Sequence, residues 1–67
     1  FEALRTRRKE IADRLDLPPY VIFHDATLRE MAEHRPRTEA DLLGINGVGE
    51  SKLKRYGKAF LEVIAEA

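Results

Sequence analysis

Sixty-seven residues without a cysteine allow one small domain and exclude a disulfide framework or a thiolate metal site. Twelve Lys and Arg balance twelve Asp and Glu, so the chain lacks the basic excess of a strong, self-sufficient nucleic-acid binder. No apolar run approaches the roughly 18–20 residues of a membrane span, and no signal-peptide pattern is present.

The neutral total hides a polarity. Residues 1–15 carry five basic against three acidic groups, residues 16–49 three against six, and residues 50–67 four against three. Mildly basic ends around an acidic middle suit a module that touches two kinds of partner. A chain this short buries only about 60% of its unfolded surface, so its stability margin is thin. Because it opens at Phe1 rather than methionine, it is expected to be a piece of something longer.

Residues 2–15 read as a first helix, with Phe1, Leu4, Ile11, Ala12 and Leu15 on one face at a spacing of about 3.6 residues. Arg8 falls inside that stripe. Its guanidinium either reaches past the apolar stem to a carboxylate, with Asp25 a candidate, or sits at the edge of the stripe with its head in water. Pro18 and Pro19 then stop the helix, because each fixes its own φ and pushes the preceding residue out of the helical region. Residues 18–25, with Tyr20, Val21, Ile22 and Phe23 in sequence, read as a compact apolar staple built on one short 3₁₀-like turn that crosses the core and joins two helices. An edge strand is the alternative, but no partner strand follows it.

Asp25 is placed to accept from the free amides of a second helix, Ala26 to His34, with Leu28, Met31 and Ala32 inward. Pro36 ends that helix. Thr38 caps a third, Glu39 to Leu43, with Asp41 near capping-box spacing and both acids suited to the positive end of the helix dipole. Gly44 is expected to close it in a left-handed conformation, with Ile45 packing back. Residues 45–49 form a tight turn whose glycines permit positive φ. A last helix runs from about Glu50 to Ala65, with Leu53, Tyr56, Phe60, Val63 and Ile64 as its core stripe. Gly57 inside it predicts a bend or a close crossing of another helix, since glycine there costs roughly 1 kcal/mol relative to alanine. The reading is an all-α bundle.

Catalytic and metal-binding patterns are weak. His24 and His34 lie ten residues apart, and no His, Asp or Glu spacing matches a metal pattern. His34 near a helix end is a simple dipole partner, and His24 a simple turn residue. The turn holding Gly47 and Gly49, followed by Lys52, Lys54 and Arg55, is sharper. Glycines before a helix expose amides that can cradle a phosphate, as in helix-hairpin-helix DNA-binding units. The same glycines also serve any tight turn between helices, and Glu50 would repel a phosphate there. Lys52, Lys54, Arg55 and Lys58 make a basic side on the last helix, which is either a solvated face or a phosphate-binding one. Tyr20, just after two prolines, is either a surface ring able to stack a base or a core aromatic whose hydroxyl is bonded to a neighbour.

The Leu4, Arg8, Ile11-Ala12 helix, the run from Pro18 through Leu28, Met31-Ala32, the stretch Leu43 through Gly49, and Lys52, Leu53, Arg55, Tyr56 and Gly57 together resemble the HRDC domain, the helicase-and-RNase-D C-terminal module. The likeness covers nearly the whole chain. It is nearest to the HRDC domains of bacterial RecQ-family DNA helicases, with RNase D second. The resemblance implies a single domain over residues 1–67, a fragment of a longer helicase chain. Its implied fold is a compact five-helix bundle with a short 3₁₀ turn and packing akin to SAM and helix-hairpin-helix units. It further implies no activity and no cofactor in this domain, with ATP, magnesium and, as a third candidate, zinc belonging to the parent helicase, and a cytoplasmic, nucleoid-associated setting.

In several such members the domain binds single-stranded or branched DNA through a basic face and the aromatic matching Tyr20. Carried over by position, that face comprises Tyr20, Lys52, Lys54, Arg55 and Lys58. The alternative expectation is protein docking, with the acidic residues Asp16, Glu30, Glu33, Glu39 and Asp41 facing a basic surface such as the helicase core. A third is an HRDC domain of an RNase D-like exoribonuclease. Arg7 departs from the family, which is usually apolar at that position.

Overall fold

The computed structural model describes residues 1–66 and, among them, contains five helices: α1 (Glu2–Leu15), α2 (Pro19–Ile22), α3 (Asp25–His34), α4 (Glu39–Leu43) and α5 (Glu50–Glu66). Helices α1, α4 and α5 follow the sequence reading to within a residue. Helix α1 packs on α2, α3 and α5, and α4 closes against α5. The radius of gyration, 10.5 Å, is near the value of about 11 Å for a folded chain of this length.

The junction between α1 and α2 is made by Asp16 in the left-handed region (φ 58, ψ 48). The Leu17 amide returns to the Ala12 carbonyl at 2.9 Å and the Asp16 amide to Asp13 at 3.3 Å, which satisfies carbonyls the helix end would leave open. Leu15 is the last helical residue before this reversal. Leu15, expected in the core stripe, is 48% exposed.

Two prolines then set α2, with Pro18 extended (φ −63, ψ 143) and Pro19 at the first helical position, where its missing N–H costs nothing. The expected 3₁₀-like turn is one turn of α-helix, opened by a tighter bond from the Val21 amide to the Pro18 carbonyl at 3.0 Å. One turn can point only part of its apolar set inward. Ile22 and Phe23 are buried, whereas Val21 and Tyr20 face solvent.

The core centres on Phe23. Its ring meets Phe60 edge-on at 5.0 Å and Tyr56 at 6.2 Å, and Ile22, Leu28, Met31 and Leu42 are fully buried around it. Such edge-to-face pairs add about 0.5–1.5 kcal/mol beyond their buried area. Gly57 marks the crossing of α4 and α5, as its position in the sequence suggested. A β-carbon built there would lie 3.5 Å from Leu42 and 2.7 Å from the Leu53 side chain.

Two local expectations are corrected. Gly44 stays right-handed (φ −75, ψ −10), and the positive φ needed to reverse the chain sits instead at Gly47 (φ 93). There a β-carbon would stand 2.3 Å from Thr27 Oγ1, so the close approach of the turn to α3 requires glycine. Asp25 does not cap α3. It is the first residue of that helix, His24 occupies the cap position without a side-chain bond, and the Asp25 carboxylate is drawn to Arg8. Thr38 does cap α4, its hydroxyl accepting from the Asp41 amide at 3.1 Å.

Candidate nucleic-acid interface

Arg8 fixes the geometry of the α2–α3 junction. The residue is 8% exposed. Its Nη1 donates to the Phe23 carbonyl at 2.9 Å and its Nη2 pairs with Asp25 Oδ1 at 2.7 Å. Of the two readings the sequence allowed, the structure takes the paired one. The Arg8 hydrogen bond, helped by the charges of Arg8, Arg5 and Arg29 and opposed by desolvation, holds the Asp25 carboxyl below its ordinary value of 3.8. Phe23 therefore goes into the core beside Ile22 with its carbonyl anchored, while Tyr20, Val21 and His24 stay exposed at the surface.

Tyr20 is one of them. Its side chain is the most exposed of the large apolar residues, at 60%. The ring stacks on His24, four residues on, with centroids 6.2 Å apart and planes 27° from parallel. The core alternative for Tyr20 is thus excluded. An apolar rim of Leu15, Leu17 and Val21, near it in sequence, is exposed too, and the sequence reading had partly placed these residues in the core. Period alone misled there: Leu15 is the last residue of α1, and the single turn of α2 buries only part of its apolar set.

Lys52 reaches the same junction from α5. It is partly buried, with Nζ 5.8 Å from the centre of the Phe23 ring, a cation over an aromatic face. Lys54, Arg55 and Lys58 are exposed on the same helix, each three or four residues from another member of the set, so their side chains neighbour one another. The structure therefore brings Lys52 to the Phe23 ring and leaves the other three further along α5. Arg7, partly buried, is a clamp between helices: it donates to the Ala59 carbonyl at 2.9 Å and pairs with Glu62 at 3.6 Å and Glu10 at 3.4 Å. This is how a position expected to be apolar accommodates an arginine.

The glycine turn is held from the protein side. The Asn46 amide donates to Glu30 Oε2 at 3.1 Å, and Gly47 faces Thr27. Gly49 has open space around it and lies directly before α5, whose first turn carries Glu50. The acidic residues are spread over three elements: Asp16 at the end of α1, Glu30 and Glu33 on α3, Glu39 and Asp41 in the first turn of α4. Two of them have local work, Glu30 on Asn46 and Asp41 accepting the Arg37 amide at 3.4 Å.

No group of three or more His, Cys, Asp or Glu is arranged to hold a metal among the described residues. Among the described residues a cleft of about 180 Å³ is lined by Arg35, Pro36, Arg37, Leu61, Ile64 and Ala65, and another of about 460 Å³ lies by Arg7, Glu10, Ile11, Arg14, Ala59 and Glu62.

These features define a class: a small all-α module that offers a surface, with an exposed ring on one helical turn and cations along another helix. Comparison with known proteins makes the assignment specific. A family model for the HRDC domain matches residues 1–64, and the chain belongs to that family. It is 50% identical over 66 residues to the ATP-dependent DNA helicase RecQ of Haemophilus influenzae, covering 98% of this chain and 11% of the relative. It is likewise 50% identical over 64 residues to that of Bacillus subtilis, covering 96% and 11%. The chain thus spans about a tenth of the length of these relatives. A solved structure, D. radiodurans RecQ HRDC domain 3, superposes with a TM-score of 0.93 at 37% identity, over 97% of this chain and 86% of that one.

Proposed function

We propose that this domain is a non-catalytic accessory module of a RecQ-like ATP-dependent DNA helicase, and that it tunes the parent enzyme by weak contact with single-stranded or branched DNA. The motor, its ATP and magnesium, and any zinc would lie elsewhere in the parent chain. The observation that carries this reading is the exposed Tyr20 ring beside the Arg8-anchored junction, with Lys52 over the ring of Phe23 three residues on. A base stacked on such a ring gains about 1–3 kcal/mol without sequence preference. Lys52, Lys54, Arg55 and Lys58 supply phosphate contacts, and the turn at Gly47 and Gly49 is a further candidate for one. With so few cations and no net charge, affinity is modest and salt erodes it quickly.

Fluorescence anisotropy with a labelled single strand, at low and at physiological salt, tests this. The expected result is salt-sensitive binding that Tyr20→Ala and Lys52→Ala each weaken; absence of binding at low salt would refute it. A second reading is favoured by the apolar rim of Leu15, Leu17 and Val21, which a nucleic acid does not require. In it the domain docks on a protein surface such as the helicase core, with Asp16, Glu33 and Glu39 steering orientation and on-rate. The relatives are named as DNA helicases, which favours a helicase parent over an RNase D-like exoribonuclease.

A further inference from the structure

The cations assigned so far lie on α5, yet the junction that presents Tyr20 has another charged flank. Helices α1 and α3 meet along a seam where Arg8 pairs with Asp25. Arg5 lies three residues before Arg8, and Arg29 four residues after Asp25, so each sits one helical turn, about 6 Å or less, further along the same seam. The Phe1 ring ties the two together, with the Arg29 guanidinium 4.6 Å from its centre and that of Arg5 at 5.8 Å. At the other end of the seam His24 precedes Asp25, exposed and stacked on Tyr20.

In order, the surface runs Tyr20, His24, the Arg8–Asp25 pair, then Arg29 with Arg5. We infer that a single strand stacked on Tyr20 continues over His24 as a second ring and passes its phosphates to Arg29 and Arg5 along the α1–α3 seam. This inference rests on the single-strand reading above and names the path that reading leaves open.

The charges along the route permit it. Asp25 is paired with Arg8, which offsets its charge toward a passing phosphate, although its side chain is 59% exposed. Glu2 pairs with Arg5 at 3.2 Å, but both side chains are at least half exposed, and such pairs contribute little and exchange readily for a better anion. Glu30, next to Arg29 in sequence, is turned to the Asn46 amide. Arg29 and Arg5 are both exposed residues, and the flat guanidinium suits the two oxygens of a phosphate. His24 makes no cap bond, so its ring is not needed to start α3.

The test titrates a fluorescein-labelled oligo-dT with the 67-residue chain and its variants over a range of salt, with thermal melts confirming that each is folded. His24→Ala is expected to weaken binding at least about fivefold, the low end for one stacked base, and His24→Phe to restore it. Arg5→Gln/Arg29→Gln keeps the apolar stems and is expected to lower the salt slope by about 1.4, the value for two phosphates on a single strand. Arg14→Gln/Arg37→Gln makes the same change in net charge and should leave the slope unchanged. If His24→Ala or Arg5→Gln/Arg29→Gln binds like the unaltered chain while Tyr20→Ala fails, the path is wrong and the single-strand reading stands. If the unaltered chain does not bind at low salt, both fall together.

Discussion

Gly47 and Gly49 look alike in the sequence, but the structure predicts opposite responses to substitution. At Gly47 an alanine must adopt φ 93, beyond the ordinary left-handed well, which costs about 1–2 kcal/mol. Its β-carbon would also meet Thr27 Oγ1 at 2.3 Å, and relieving such an overlap in a packed site costs about 1–3 kcal/mol more. Gly47→Ala should therefore lose about 2–5 kcal/mol, with each kcal/mol lowering Tm by about 4–8 °C in a domain of this size. Gly49 has nothing within 4 Å of its would-be β-carbon, lacks a positive φ, and lends its carbonyl to the Leu53 amide at 2.9 Å. Gly49→Ser stiffens the unfolded chain and adds a capping hydroxyl, so it should be neutral or stabilising by up to about 1 kcal/mol. Urea denaturation of both variants and of Gly47→Ala/Thr27→Ala measures the terms. Removing the threonine hydroxyl should recover the overlap and leave the φ cost, giving less than additive loss. Equal effects at Gly47 and Gly49, or full additivity with Thr27→Ala, would refute the reasoning.

Other substitutions probe other joints. Phe60→Ala empties a site with no solvent exposure and should cost about 3–5 kcal/mol, while Leu15→Ala, half exposed, should cost well under the roughly 2–5 kcal/mol of a buried leucine; denaturant midpoints compare them. Asp16→Gly removes a side chain from a left-handed helix end and should raise stability by about 0.5–1 kcal/mol, read as a higher Tm. The folded pKa of Asp25 lies below its unfolded value, so its contribution is present above about pH 3.8 and is lost as pH falls through the lower folded value. Asp25→Asn should accordingly flatten the acid limb of a Tm-against-pH curve and lower Tm at neutral pH.

Most of the helical frame was legible because it depends on local chemistry: two prolines that cannot continue a helix, Thr38 at a cap, and apolar residues at helical spacing in α5. The Arg8–Asp25 pair could be anticipated because an arginine in an apolar stripe needs an acceptor. What the sequence concealed lay in tertiary geometry. Asp16 adopts a left-handed conformation that nothing in its chemistry demands, and Leu15, the last residue of α1 just before it, is left exposed. Positive φ fell to Gly47 rather than Gly44 because α3 comes closest there, a contact invisible in the sequence. Asp25 has the chemistry of a cap, yet a guanidinium 2.7 Å away competes for its carboxylate. Tyr20 and its basic companions on α5 were legible as residue types. The alignment of His24, Arg29 and Arg5 was not, since it depends on how α1 and α3 meet.

The central claim, that the α2 turn and its neighbours form a nucleic-acid surface, is tested most directly by amide chemical shifts of the isotope-labelled chain during addition of oligo-dT at low salt. Shifts concentrated on Tyr20 to Asp25, Lys52 and the α1–α3 seam are the predicted result. An unchanged spectrum, or changes confined to α4, would contradict it.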